Sequence, residues 1–157
     1  MYIKSCGGCI LCCSGTLTVE INEHKVHPNN PCPHICESGC GIYDDPLRPA
    51  VCGNYGCCWM MNRTLPDWMR PDKVGFLMTE YKEFITLSAD YNAKIDGAAL
   101  LFAIDWCKLK KKTMWYTVKS IGLGEYFRGS IMNHPESVFN HGSMDEIFLP
   151  VELHNDK

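Results

Sequence analysis

The sequence contains no run approaching the ~20 consecutive apolar residues a helix needs to cross a bilayer, so no membrane association is expected. It also lacks the G-x-S-x-G, H-E-x-x-H and Walker patterns, which removes the commonest hydrolase, metalloprotease and nucleoside-triphosphatase chemistries. Gly122-Leu123-Gly124 is too short for a nucleotide-binding loop and reads as a turn. There is no internal repeat and no low-complexity tract. Strong charge of one sign is missing as well. The net charge is -3, with five acidic and three basic residues in 1–58 and thirteen and twelve in 59–157. Nucleic acid is therefore not an expected partner. The one local exception, Lys108, Lys110, Lys111 and Lys112, reads as a solvated helix end, where cations complement the helix dipole. The five residues ahead of Cys6 leave no room for the apolar core of a secretory signal, and a reducing, cytoplasmic setting is expected.

What the sequence does have is cysteine: eleven in 157 residues, ten of them at or before Cys58. In a reducing compartment clustered thiols are metal ligands more readily than disulfides, and an odd total would leave one thiol over in an all-disulfide scheme. The densest stretch is residues 6–13, in which Cys6, Cys9 and Cys12 repeat at C-x2-C-x2-C spacing and Gly7 and Gly8 let the loop turn tightly. Cys13 follows directly. Neighbouring side chains diverge, so Cys12 and Cys13 are expected to serve two metal positions, or one ligand and one bystander, better than one tetrahedral ion. A second cluster holds Cys32, Cys36 and Cys40, and a third Cys52, Cys57 and Cys58, separated by turns that let the thiols converge without regular elements of their own. Zinc and an iron–sulfur cluster both take four thiolates, and the spacing does not choose between Zn2+ and iron. So soft a ligand set does exclude calcium and magnesium.

The order Cys-x2-Cys-x2-Cys-Cys, then Cys-x7-Cys-x-Ile-Tyr, then Arg-Pro-x2-Cys-x4-Cys resembles the YkgJ-type cysteine cluster family, described as a zinc- or iron-chelating domain. The resemblance covers residues 6–58 and extends to about residue 78 through Trp59, Leu65-Pro66 and Arg70-Pro71. It implies eight metal ligands: Cys6, Cys9, Cys12, Cys13, Cys32, Cys40, Cys52 and Cys57. Two features depart from the pattern: four residues separate Tyr43 and Arg48 where the family usually has two, and Gly53 follows Cys52 in place of an arginine. Arg48 is the remaining candidate for hydrogen bonding to thiolate sulfur. The flagellin lysine methylase resembles this family in its cysteine signature.

The rest of the chain reads as ordinary structure. Residues 16–21 alternate as a strand, and residues 22–33 read as an irregular surface loop holding His24 and His27. Residues 74–79 and 83–88 read as a hairpin, Asp96 as the cap of an apolar, buried helix over 97–111 with Cys107 in its core, and residues 113–118 and 146–151 as further strands. His134 and His141 read as loop residues. The expected fold class is α+β in one domain, 1–157. An irregular, metal-nucleated cysteine lobe (1–60) packs on an α+β body (61–157) of a small sheet and one buried helix. The expected function is a metal-binding protein with a structural or partner-binding role toward another protein. The alternative is an iron or iron–sulfur dependent redox or protein-modifying enzyme, although no S-adenosylmethionine site is recognisable.

Overall fold

The structure, a computed structural model, describes residues 3–27, 29–90, 93–119 and 126–130. It is an α+β fold, as expected. The lobe begins with a π-type turn at Cys12–Thr16, in which Gly15 takes φ 107°. Strands β1 (Val19–Ile21) and β2 (His24–Val26) then pair antiparallel with Ile21 opposite His24. The segment read as a loop at 22–33 therefore contains a strand. Asn22 and Glu23 turn the chain with φ 48° and 66°, the left-handed pair a two-residue hairpin turn requires. A second hairpin joins β3 (Ile35–Cys36) to β4 (Gly39–Cys40). Two one-turn helices follow, α1 (Ala50–Gly53) carrying Cys52 and α2 (Cys58–Met61) directly after Cys57. The second and third cysteine clusters thus sit on or beside short regular elements, where turns alone were expected.

A 3-10 turn (Asp67–Met69) and α3 (Pro71–Val74) lead into the body. Its sheet is ordered β5-β6-β7-β8, with β5 Leu77–Glu80, β6 Phe84–Asp90, β7 Thr113–Lys119 and β8 Tyr126–Ser130. β5 and β6 form the expected hairpin, though Val74 belongs to α3. β6 and β7 run parallel, and such a pair needs a crossover. Helix α4 (Gly97–Leu109) provides it. Asp96 caps the helix as expected, its carboxylate accepting from the Ala99 N–H at 2.8 Å. The strand expected at 146–151, His134, His141 and the 122–124 turn lie outside the described residues.

The main core joins Ile85, Leu87 and Ala89 of β6 to Ala99, Leu100, Ala103, Trp106 and Cys107 of α4, with Leu65, Met69, Phe76 and Met114 fully enclosed. Burying each large side chain contributes roughly 1.5–3 kcal/mol of transfer free energy. α4 is not buried all round: Leu101 and Leu109 are exposed. A separate, smaller cluster of Ile21, Val26 and Cys32, with Cys13, Val19, Ile35 and Cys52 packed on it, forms the interior of the lobe. Cys57, Cys58, Trp59 and Met60 belong to the main core, so the seam between the two clusters falls before Cys57. The N-terminal segment is tied to that side, with the Ile3 and Lys4 amides donating to the Met60 carbonyl.

Lys110 and Lys112 are not free solvated charges. Both donate to Glu80 at 2.8 Å, and Lys110 also donates to Asn62 Oδ1 and lies 4.6 Å from the Trp106 ring centre. They clamp the end of α4 and the start of β7 to the edge strand β5.

Candidate metal centre

The first loop turns at Gly7 (φ 55°), where the Cys9 amide bonds back to the Cys6 carbonyl. It then enters the π-type turn with Cys12 and Cys13. The β3–β4 hairpin presses against this loop backbone to backbone. A Cβ at Gly39 (φ 119°) would stand 2.5 Å from the Gly7 carbonyl oxygen, so only glycine permits the approach. The Cys32 amide donates to the Cys13 carbonyl at 2.9 Å, drawing the second cluster onto the first. Arg48 anchors the third, donating to the Tyr43 and Cys52 carbonyls at 3.2 and 3.1 Å while its guanidinium lies 4.3 Å from the Tyr43 ring centre.

These contacts bring Cys6, Cys9, Cys12, Cys13, Cys32, Cys40, Cys52 and Cys57 together on the wall of one cavity of about 290 Å³ between the lobe and strand β5. Cys36, Cys58 and Cys107 do not line it: Cys36 is exposed, and Cys58 and Cys107 are buried in or beside the main core. None of His24, His27 and His34 lines it either, and His24 pairs with the Pro31 carbonyl instead. The thiols ring the space. Among the described residues no three cysteine, histidine or carboxylate side chains close on a point where they could share one ion.

Two of the thiols, Cys12 and Cys13, have their Sγ atoms 3.7 Å apart. The two side chains thus approach each other where divergence was expected. Their contact splits the two protons. Hydrogen bonding with Cys12, opposed by burial and helped by the Arg48 charge, lowers the Cys13 thiol. That same contact and burial push Cys12 up. Burial, with Cys57 and Cys9 nearby, raises Cys6 to about 11, and burial also raises Cys9, Cys32, Cys52 and Cys57.

Among the described residues, Arg48 is the only charged side chain on the cavity wall. With its two terminal nitrogens on carbonyls, it keeps a buried Nε without a partner among the described residues. The donor set, eight thiols with no carboxylate and one guanidinium, fits a borderline or soft metal and no other class of ion.

The aromatic part of the lining was not singled out from sequence. Tyr43, Tyr55, Trp59 and Tyr81 also line the cavity, together with Leu77 and Thr79 of β5, and the Tyr55 and Thr79 hydroxyls lie 2.9 Å apart. Three of these aromatics lie beside cysteines of the motif, which is the one signal that pointed to them. Met60 adds a thioether, with its Sδ 3.1 Å from Cys6 Sγ. Among known proteins, no family model, no curated protein and no solved structure matches the chain.

Proposed function

We propose that the protein binds zinc or iron through the thiolates of Cys6, Cys9, Cys12, Cys13, Cys32, Cys40, Cys52 and Cys57, and that the metal joins the lobe to the body. The observation that carries this reading is selective: the eight cysteines of the motif, and none of the other three, line one cavity. Bound metal supplies Lewis acidity in the case of zinc, and redox capacity in the case of iron. Arg48 offsets thiolate charge, and its buried Nε–H is a donor that a thiolate sulfur can accept. Cross-linking loops that hold few apolar contacts of their own stabilises the lobe, and the resulting surface serves a protein partner. The exposed apolar side chains of Leu47 and Val51 flank Arg48 on that surface.

A second reading, an iron or iron–sulfur dependent redox or protein-modifying enzyme, draws on the aromatic wall and on a cavity volume larger than bare ions require. Elemental analysis and a visible spectrum of protein purified without oxygen separate the two. Zinc in a colourless protein supports the structural role, and iron with a brown absorption supports the enzyme. A chain that contains neither metal and takes up neither on reconstitution overturns both.

A further inference from the structure

The cysteines around the cavity are not evenly mixed. Cys57 is buried in the main core, and Cys6 packs against that core. Cys32 is buried in the small lobe cluster, and Cys13 and Cys52 pack against that one. The Cys32 amide is bonded to the Cys13 carbonyl, and Cys40 lies opposite Ile35, itself part of the lobe cluster. On the other side, Cys6 and Cys9 close one turn of the first loop, and the Ile3 and Lys4 amides hold that loop to the Met60 carbonyl beyond Cys57.

We propose that the cavity holds two four-thiolate metal positions side by side, one built by Cys6, Cys9, Cys12 and Cys57 and the other by Cys13, Cys32, Cys40 and Cys52, with the Cys12–Cys13 peptide as the seam. This rests on the reading of the cavity as a metal centre. The adjacent pair is then one ligand to each position, and its 3.7 Å contact makes the positions neighbours. Four thiolates satisfy one zinc ion or one cubane, so neither position needs a ninth ligand. The first position is fastened to the body core and the second to the lobe beside Arg48. One metal thus fixes the lobe to the body and the other closes the lobe on itself.

The test uses the full-length, reduced, unmutated chain and Zn2+ alone as probe. Zinc is added without oxygen at one and at two equivalents, the thiols are alkylated, and intact and peptide masses are read. Expected are two ions bound. Molecules carrying one ion should have four protected cavity thiols that all come from one of the two named sets, and Cys36 should be alkylated throughout. Protection that mixes the sets, or all eight thiols protected by a single ion, overturns the division while leaving the metal centre standing. No zinc bound overturns the metal centre itself. The comparison of Cys9→Ser/Cys57→Ser with Cys9→Ser/Cys40→Ser adds a readout in which both variants lose two thiols. The first should keep one tightly bound zinc and the second none, and equal retention counts against the division.

Discussion

Replacing Gly39 by alanine probes the contact on which the shape of the cavity depends. At φ 119° the residue lies outside the regions open to L side chains, which by itself costs roughly 1–3 kcal/mol. The added Cβ would also meet the Gly7 carbonyl oxygen at 2.5 Å and the Gly8 Cα at 3.3 Å. Both are backbone atoms, so no side-chain rotation relieves them and the hairpin has to move away from the first loop. Taken together, strain and overlap should destabilise the protein by about 3 kcal/mol. At a urea m-value of roughly 1.5 kcal/mol/M, the unfolding midpoint falls by about 2 M. Gly53→Ala is the matched control, since nothing lies within 4 Å of its Cβ position and the residue is helical. It should be neutral or stabilising by about 0.4–1 kcal/mol. Urea unfolding of the two variants beside the parent chain decides the matter. A Gly39→Ala protein within about 0.5 kcal/mol of the parent, or a Gly53→Ala protein equally damaged, refutes the close approach.

Glu80→Gln should cost about 2 kcal/mol at pH 7, because a partly buried carboxylate loses two charge-assisted lysine contacts. Burial raises the Glu80 pKa, but the Lys110 and Lys112 hydrogen bonds outweigh it and hold the carboxyl below its ordinary value. The stabilisation is therefore present above about pH 4.3 and lost as the pH falls through the folded-state value, so parent and variant melting curves should converge in acid. A difference that persists unchanged there counts against the clamp. Cys36 is exposed, with its pKa lowered by hydrogen bonding from Ser38, whereas burial raises Cys58 and brings Cys107 to about 12. Alkylation of the native protein should therefore reach Cys36 first, more slowly after Ser38→Ala, and early labelling of Cys107 contradicts this. Asp96→Ala should lower stability by about 1 kcal/mol through loss of the α4 cap, read by thermal melting, and no loss would mean the cap is not made in solution.

Which parts of this were legible in the sequence follows from which interactions are local. The Asp96 cap, the apolar α4 and the β5–β6 hairpin depend on nearby residues, and their boundaries shift by only a few positions. β2 was missed because its turn uses Asn22-Glu23, without the glycine that advertises a left-handed pair. The parallel register of β6 and β7 leaves no local trace, since the crossover helix is compatible with several strand orders. The Glu80 clamp joins residues 30 and 32 positions apart, and no window of sequence contains both ends. At the candidate site, the eight cysteines that the family resemblance implies all line the cavity. The 3.7 Å approach of Cys12 Sγ to Cys13 Sγ leaves no trace in the sequence, where adjacent side chains are expected to diverge. The part of the lining contributed by Tyr81 and β5 is tertiary, and only folding brings it to the same cavity as the thiols.

X-ray absorption at the metal edge, on the full chain loaded with zinc or purified with its own iron, reports the coordination shell itself. Thiolate ligation from both sets of cysteines gives a shell of four sulfurs per ion at ~2.3 Å, with no nitrogen or oxygen at ~2.0–2.1 Å. A shell dominated by nitrogen or oxygen, or a chain that holds no metal at the edge while its cavity thiols stay open to alkylation, contradicts a thiolate centre at Cys6 to Cys57.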